Sequence, residues 1–345
     1  MDILYSMLCK NRNLILNKGY FVTVVMLLMA ACSNTESENI LPETDEPIGF
    51  GVAMSTTGRT LITDESQIGS FKVWGWRTPI NQPTNAIQEF DAVTVTYDEE
   101  ALHHWSYTPI KSWIMYNSYN FYALYPAAAY DVTNNNNTFT INNYNANAQE
   151  DFLLAKKEDH QFPDDGETVH LSFEHLLSHI SIKLNKADDE EGTITVTGVD
   201  LANLNVIANF STSNGDYGGW NNWSRKTDTS FNLGNDGVIL TDNLQICGEG
   251  IFVIPQEISD EMKFYIYYTY TPKGAQEAQS MTPLEIDIPN TVSITTEGGT
   301  KELSYWPSGI KIAYSGTVSL GKIEFSTPKV EEWGQKQSSG TIIIK

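Results

Sequence analysis

Cysteine, histidine and cationic side chains are all scarce in this chain of 345 residues. It holds 3 cysteines, 6 histidines and 21 lysines plus arginines, against 43 aspartates plus glutamates. The formal net charge is therefore −22. Nucleic-acid binders gather basic side chains against phosphate. Anionic lipid attracts the same charge. A chain this acidic is expected to use neither partner through charge, and no nucleic acid is expected. Cys9, Cys32 and Cys247 are too few and too scattered for a disulfide framework. Long apolar runs are missing as well. A spanning helix needs about 20 apolar residues, and YFVTVVMLLMAA, over 20–31, falls short.

The signatures of familiar chemistry are also absent. There is no nucleophile elbow, zinc-protease helix or phosphate loop. Acid runs at Asp98–Glu100, Asp164–Asp165 and Asp188–Glu191 lie between strand signals, where carboxylates are ordinarily solvated. A glycosidase needs two acids facing each other across a cleft, and nothing in the pattern supplies that. His170, His175 and His179 cluster in sequence. On a strand, however, His170 and His175 point to opposite faces, and zinc wants three or four converging ligands. The expectation is a packed His175, with no metal, no cofactor and no catalysis.

What is present begins with a leader. Lys10, Arg12 and Lys18 precede the short apolar block, and Ala30 and Ala31 follow it. This order of basic region, apolar region and small residues describes a secretory signal over 1–31. Met7 is an alternative start. Ala30-Ala31-Cys32 resembles the lipobox of bacterial lipoproteins, with Met29 where that motif prefers leucine. The resemblance implies cleavage before Cys32 and a lipid on its thiol. The alternative is an ordinary cysteine after an ordinary signal. Residues 1–32 carry three cations and one acid, so the remainder stands at −24. SNTESENILPETDEP, over 33–47, has five acids and two prolines. It buries too little to offset chain entropy, so 32–47 reads as a flexible, acidic tether.

Beyond the tether the pattern is strand throughout. IGFGVAM (48–54) alternates Ile48, Phe50, Val52 and Met54. FKVWGW, AVTVTYD, YNFYALYP, TITVTGVD, MKFYIYYTY and GTVSLGKIEFS follow, with turn residues between them. AQEDFLLAKK (148–157) reads as a short helix or an irregular loop. In VHLSFEHLLSHISIKLNK, Val169, Leu171, Phe173, His175 and Leu177 share one face, and then Ile180, Ile182 and Leu184 take over with opposite parity. A one-residue slip sends each side chain to the other face, so a bulge or break belongs between Leu177 and Ile180. The expected fold is all-β, with two sandwich-like domains over 48–168 and 169–345.

These stretches carry a family resemblance. Phe173-x-His175-x-Leu177, the aromatic strand YNFYALYP and the closing VEEWGQ (330–335), together with the lipobox and acidic tether, resemble the fimbrillin family of Bacteroidales. The resemblance implies two transthyretin-like β-sandwich domains and export as an outer-membrane lipoprotein at the cell surface. It also implies a stalk, tip or anchor role in type V pili, with other pilus subunits as partners. In that family an Arg-specific protease removes the N-terminal strand, and a neighbour's strand fills the groove by β-addition. Here the cut would fall between Arg59 and Thr60, freeing Ile48, Phe50, Val52 and Met54; the alternative is that Arg59 is a turn residue and nothing is cut. Ile342, Ile343 and Ile344 in TIIIK would aggregate as an open edge. They must pair within their own domain or with a neighbour.

A second reading is a surface adhesin for a glycan or host protein. NGDYGGWNNWS (214–224) places Tyr217, Trp220 and Trp223 in a Gly/Asn-rich stretch. Exposed, coplanar tryptophans there would favour sugar stacking, and buried ones would favour packing.

Overall fold

In this computed structural model, residues 43–54, 67–100, 104–213, 218–296 and 299–331 are described. They are all-β, with no α-helix among them. No helix among the described residues is long and apolar enough to cross a membrane.

The first sheet has the spatial order β2 (Gly49–Met54), β11 (Thr168–His175), β10 (Leu153–Gln161), β7 (Asn117–Tyr125), β3 (Ser70–Pro79), β4 (Ile87–Tyr97) and β5 (Trp105–Ser106). A two-stranded ladder of β1 (Glu43–Pro47) and β6 (Ser112–Ile114) flanks it. The second sheet orders β19 (Gln279–Ser280), β18 (Lys263–Thr271), β13 (Thr193–Ser211), β9 (Phe139–Asn145) and β8 (Asp131–Asn134). Within it, β14 (Gly219–Ser230) and β15 (Val238–Ile239) pair with β13, and β20 (Leu284–Asp287) pairs with β18. The third sheet orders β16 (Gln245–Ile246), β12 (Ser178–Lys186), β23 (Lys311–Ser319), β25 (Lys329–Glu331), β21 (Val292–Thr296) and β22 (Gly299–Leu303). There β17 (Ile251–Val253) pairs with β12, and β24 (Lys322–Phe325) with β23.

Three apolar cores follow. One face of the first sheet encloses an aromatic core that includes Phe50, Phe71, Phe90, Trp113 and Phe121. The second and third sheets share an aliphatic core, with Ile180, Ile182 and Leu184 meeting Val199, Ile266 and Tyr314. A third core lies between them. Trp74, Trp76, Tyr122 and Leu124 on the other face of the first sheet meet Phe139, Ile141, Phe210 and Trp220. The 19-residue strand β13 serves both of the last two cores, its first part in one and Ala208 and Phe210 in the other. The two halves are thus joined by packing, and contacts within Glu43–Lys345 hold together as one unit.

Two boundaries differ from expectation. The tether does not run to residue 47, because β1 pairs antiparallel with β6, Glu43 opposite Ile114 and Pro47 opposite Ser112. Polar, acidic residues suit such a strand because all but its edge-on contacts face water; Asp45, Glu46 and Pro47 are exposed. The final departure from the first sheet also comes later than residue 169, although β8 and β9 join the second sheet before it. Strand β11 stays in the first sheet beside β10, and β12 enters the third sheet beside β23. The turn between them, at Leu176–Leu177, is where the apolar parity flips. AQEDFLLAKK (148–157) is irregular over 149–152 and strand over its second half. A 3₁₀ turn at Ala146–Ala148 ends on its first residue, and β10 begins at Leu153.

Candidate strand-exchange site

Residues 43–54 form one extended segment with two partners. Its first half pairs with β6, and its second half runs parallel to β11, from Gly49 opposite Thr168 to Met54 opposite Phe173. At the crossing, the Ile48 amide donates to the Lys111 carbonyl at 2.8 Å and the Gly49 amide to the Glu167 carbonyl at 3.2 Å. The Tyr107 hydroxyl donates to the Ile48 carbonyl at 2.8 Å. Burial pushes the Tyr107 pKa up to about 12, against a smaller lowering by the Lys111 backbone, so the phenol keeps its proton to donate. Thr44 Oγ1 donates to the Trp113 carbonyl at 3.0 Å.

Alternation along β2 sorts its side chains. Ile48 and Phe50 are 1% and 3% exposed, and Val52 is half-buried. Phe50 is ringed by four aromatics, with centroids at 6.4 Å to Phe71, 5.5 Å to Phe90, 5.5 Å to Tyr107 and 5.7 Å to Phe121. All four meet it edge-on, the geometry aromatic quadrupoles favour. Gly49 and Gly51 occupy the other face. A Cβ at Gly51 would stand 3.1 Å from His170 Nδ1 and 3.3 Å from Thr168 Cγ2.

The floor under the crossing is built of stacked rings. Trp113 stacks on His160 at 4.9 Å and on Phe162 at 5.5 Å. Its Nε1 donates to the Glu167 carbonyl at 3.2 Å, the same oxygen that receives the Gly49 amide. His160 is buried, which lowers its pKa and favours the neutral ring, whose Nε2 contacts the Gly166 carbonyl at 3.1 Å. Because β2 is the edge strand of its sheet among the described residues, all the ladder bonds described between it and that sheet go to one neighbour. A strand so placed can leave without splitting the sheet, and its departure would uncover the aromatic core and the β11 backbone.

Sequence reasoning reached Ile48, Phe50 and Val52 but not Tyr107, Trp113 or His160. Tyr107 and Trp113 lie in a short, irregular stretch where periodicity is uninformative, and only their size hinted at a buried role. For Met54 the structure describes the backbone within β2. Cys32, Arg59, Thr60, Tyr217 and Ile342, Ile343 and Ile344 lie outside the described residues.

Trp220 and Trp223 do not form a platform. They stand on strand β14 rather than in a loop. Trp220 is 8% exposed, packs on Phe210 and Tyr144, and donates Nε1 to the Leu176 carbonyl at 2.9 Å. Trp223 is 44% exposed and donates to the Pro255 carbonyl at 3.0 Å. Paired sugar stacking at Trp220 is therefore ruled out by its place in the third core.

His175 is buried, with Nδ1 2.9 Å from Asp151 Oδ1. His170 is exposed on the opposite face of β11. His179 is buried against Phe252, and its pKa is pushed down to about 4, first by desolvation and then by Lys311. No group of three or more His, Cys, Asp or Glu among the described residues is arranged to hold a metal ion.

The sequence matches the model of the fimbrillin-like family over residues 56–333. The chain belongs to the fimbrillin-like family. That membership places it with fimbrial, adhesion-type proteins of the cell surface. A solved fimbrial protein from Bacteroides vulgatus is similar in fold, with 17% identity, a TM-score of 0.61, and cover of 84% of this chain and 100% of that one. A suspected cell-adhesion protein from Bacteroides uniformis is 18% identical, with a TM-score of 0.49 and cover of 84% and 99%. Among proteins of curated function, none matches the chain.

Proposed function

We propose that this fimbrillin-like chain is a subunit of a type V pilus, exported as a lipoprotein on Cys32 and assembled by strand addition at the first sheet. The observation that carries the reading is the edge strand β2, whose Ile48 and Phe50 plug an otherwise complete aromatic core. In this reading, cleavage between Arg59 and Thr60 frees residues 48–54, and an extended segment of another subunit takes their place along β11. Main-chain hydrogen bonds supply affinity, and the pockets of Ile48 and Phe50 supply specificity. In this reading the first sheet, and the second and third sheets together, correspond to the two transthyretin-like domains, with the hairpin of β8 and β9 lent to the second sheet ahead of the hand-over at Leu176–Leu177.

A covalent lock tests it. Ala53 and Ser172 are register partners in β2 and β11. The A53C/S172C pair, oxidised, ties the resident strand in place. Locked protein is expected in the membrane fraction but not in sheared fimbriae, with incorporation restored by reductant. Equal incorporation of locked and unlocked chains would refute strand exchange at this edge.

A further inference from the structure

The groove under β2 is selective, and its selectivity names the kind of strand it takes. On the inward side the central position is filled by Phe50 among four rings. Ile48 beside it is fully enclosed. On the outward side the row runs Gly49, Gly51 and Ala53; a Cβ at position 51 would press on His170 and Thr168, whereas one at position 49 would meet ordinary contacts at 3.4 Å or more. The resident strand thus reads apolar, glycine, aromatic, glycine, apolar. Consecutive isoleucines at 342–344 offer the reverse: no aromatic for the central pocket, and a β-branched side chain on the row where glycine sits.

We infer that this groove accepts an extended strand with an aromatic residue at its centre and glycine directly after it, and rejects a strand of consecutive isoleucines. An incoming strand is then one that carries that pattern, which residues 341–345 of a second copy do not. His170 and Thr168 are the specificity-determining residues of the outward row, and Phe71, Phe90, Tyr107 and Phe121 those of the inward pocket. The inference about the partner rests on the strand-exchange reading. The preference of the groove itself does not.

That separation allows a test in the full chain, with the guest strand in place of the resident one. Thr-Ile-Ile-Ile-Lys is grafted over 48–52, and in a second graft over 49–53, so that both registers are sampled. Amide exchange is then read on β11, with β12 and β23 as internal controls. The expected result is at least ten-fold faster exchange across 168–173 in both grafts, with the controls unchanged. A milder pair covers the case in which the grafts fail to fold: Gly51→Val speeds β11 exchange, and adding His170→Ala restores it. Native-like protection of β11 in either graft, or no rescue of Gly51→Val by His170→Ala, would overturn the inference. Neither outcome depends on exchange occurring in cells, so failure of the disulfide-lock experiment would remain a separate finding.

Discussion

Strands β2 and β25 lie near opposite ends of the described chain, and they enter their sheets in opposite ways. Among the described residues, strand β2 is an edge, paired through six residues with β11 alone in its sheet. Strand β25 is interior, with β23 on one side and β21 on the other. Removing an edge strand exposes one ladder and one groove. Removing an interior strand, even a short one, cuts a sheet in two. The cores differ in the same sense. Phe50 is a single aromatic plug in an aromatic cage, whereas Val330 is one partly buried residue among many aliphatic ones. The comparison teaches where replacement is physically cheap, and it points to the N-terminal edge.

The largest expected effect sharpens this contrast directly. Phe50→Ala should destabilise the chain by about 4 kcal/mol, since it removes a fully buried ring and leaves a cavity. Denaturant unfolding measures the loss. Amide exchange should show it concentrated on β11 and β10, with β23 spared. A uniform loss across all three sheets would mean that β2 is integral rather than detachable.

Next comes the seam between the regions. His179 is neutral in the folded chain, with its pKa pushed down to about 4, whereas an unfolded histidine titrates near 6.5. Between these values the unfolded chain binds more protons. The contribution is therefore full above about pH 6.5 and is lost as the pH falls towards 4, amounting to about 3 kcal/mol. The buried His160 near β2, whose pKa is also lowered, acts in the same direction. Urea midpoints at pH 7 and 4.5, for the native chain and for His179→Phe, measure the share of His179; the variant should show the flatter profile.

The smallest effect falls on the interior strand. Val330→Ala trims a partly buried side chain, and about 1 kcal/mol is expected. Exchange should rise little at β23 or β21, because the backbone ladder persists. Local opening of β25 as large as that of β2 in Phe50→Ala would erase the distinction between the two strands.

Much of this architecture was legible in the residues. Strict alternation in IGFGVAM and in VHLSFEH matches the burial of Ile48, Phe50, Val169, Leu171 and Phe173. The parity flip marked the change of sheet within a few residues, because a strand cannot switch faces without a break. The rest depended on long-range pairing, which composition does not encode. Residues 43–47 are as acidic as a linker, yet β6 lies within reach to pair with them. The hairpin of β8 and β9 joins the second sheet through Ile141 opposite Phe210, a pairing no local pattern announces. Trp220 sits in a polar, glycine-rich stretch that suggests a loop, and the third core buries it all the same. Asp151 held no signal as the partner of His175, since the two are 24 residues apart and meet only when β10 and β11 pair.

The most direct measurement of the central claim is the intact mass and N-terminal sequence of this chain recovered from sheared fimbriae and from the envelope. The account predicts that assembled chains begin at Thr60 and lack residues 48–54, while the membrane-held precursor begins at a lipid-modified Cys32. Assembled chains that retain Cys32 and the whole of β2 would contradict it.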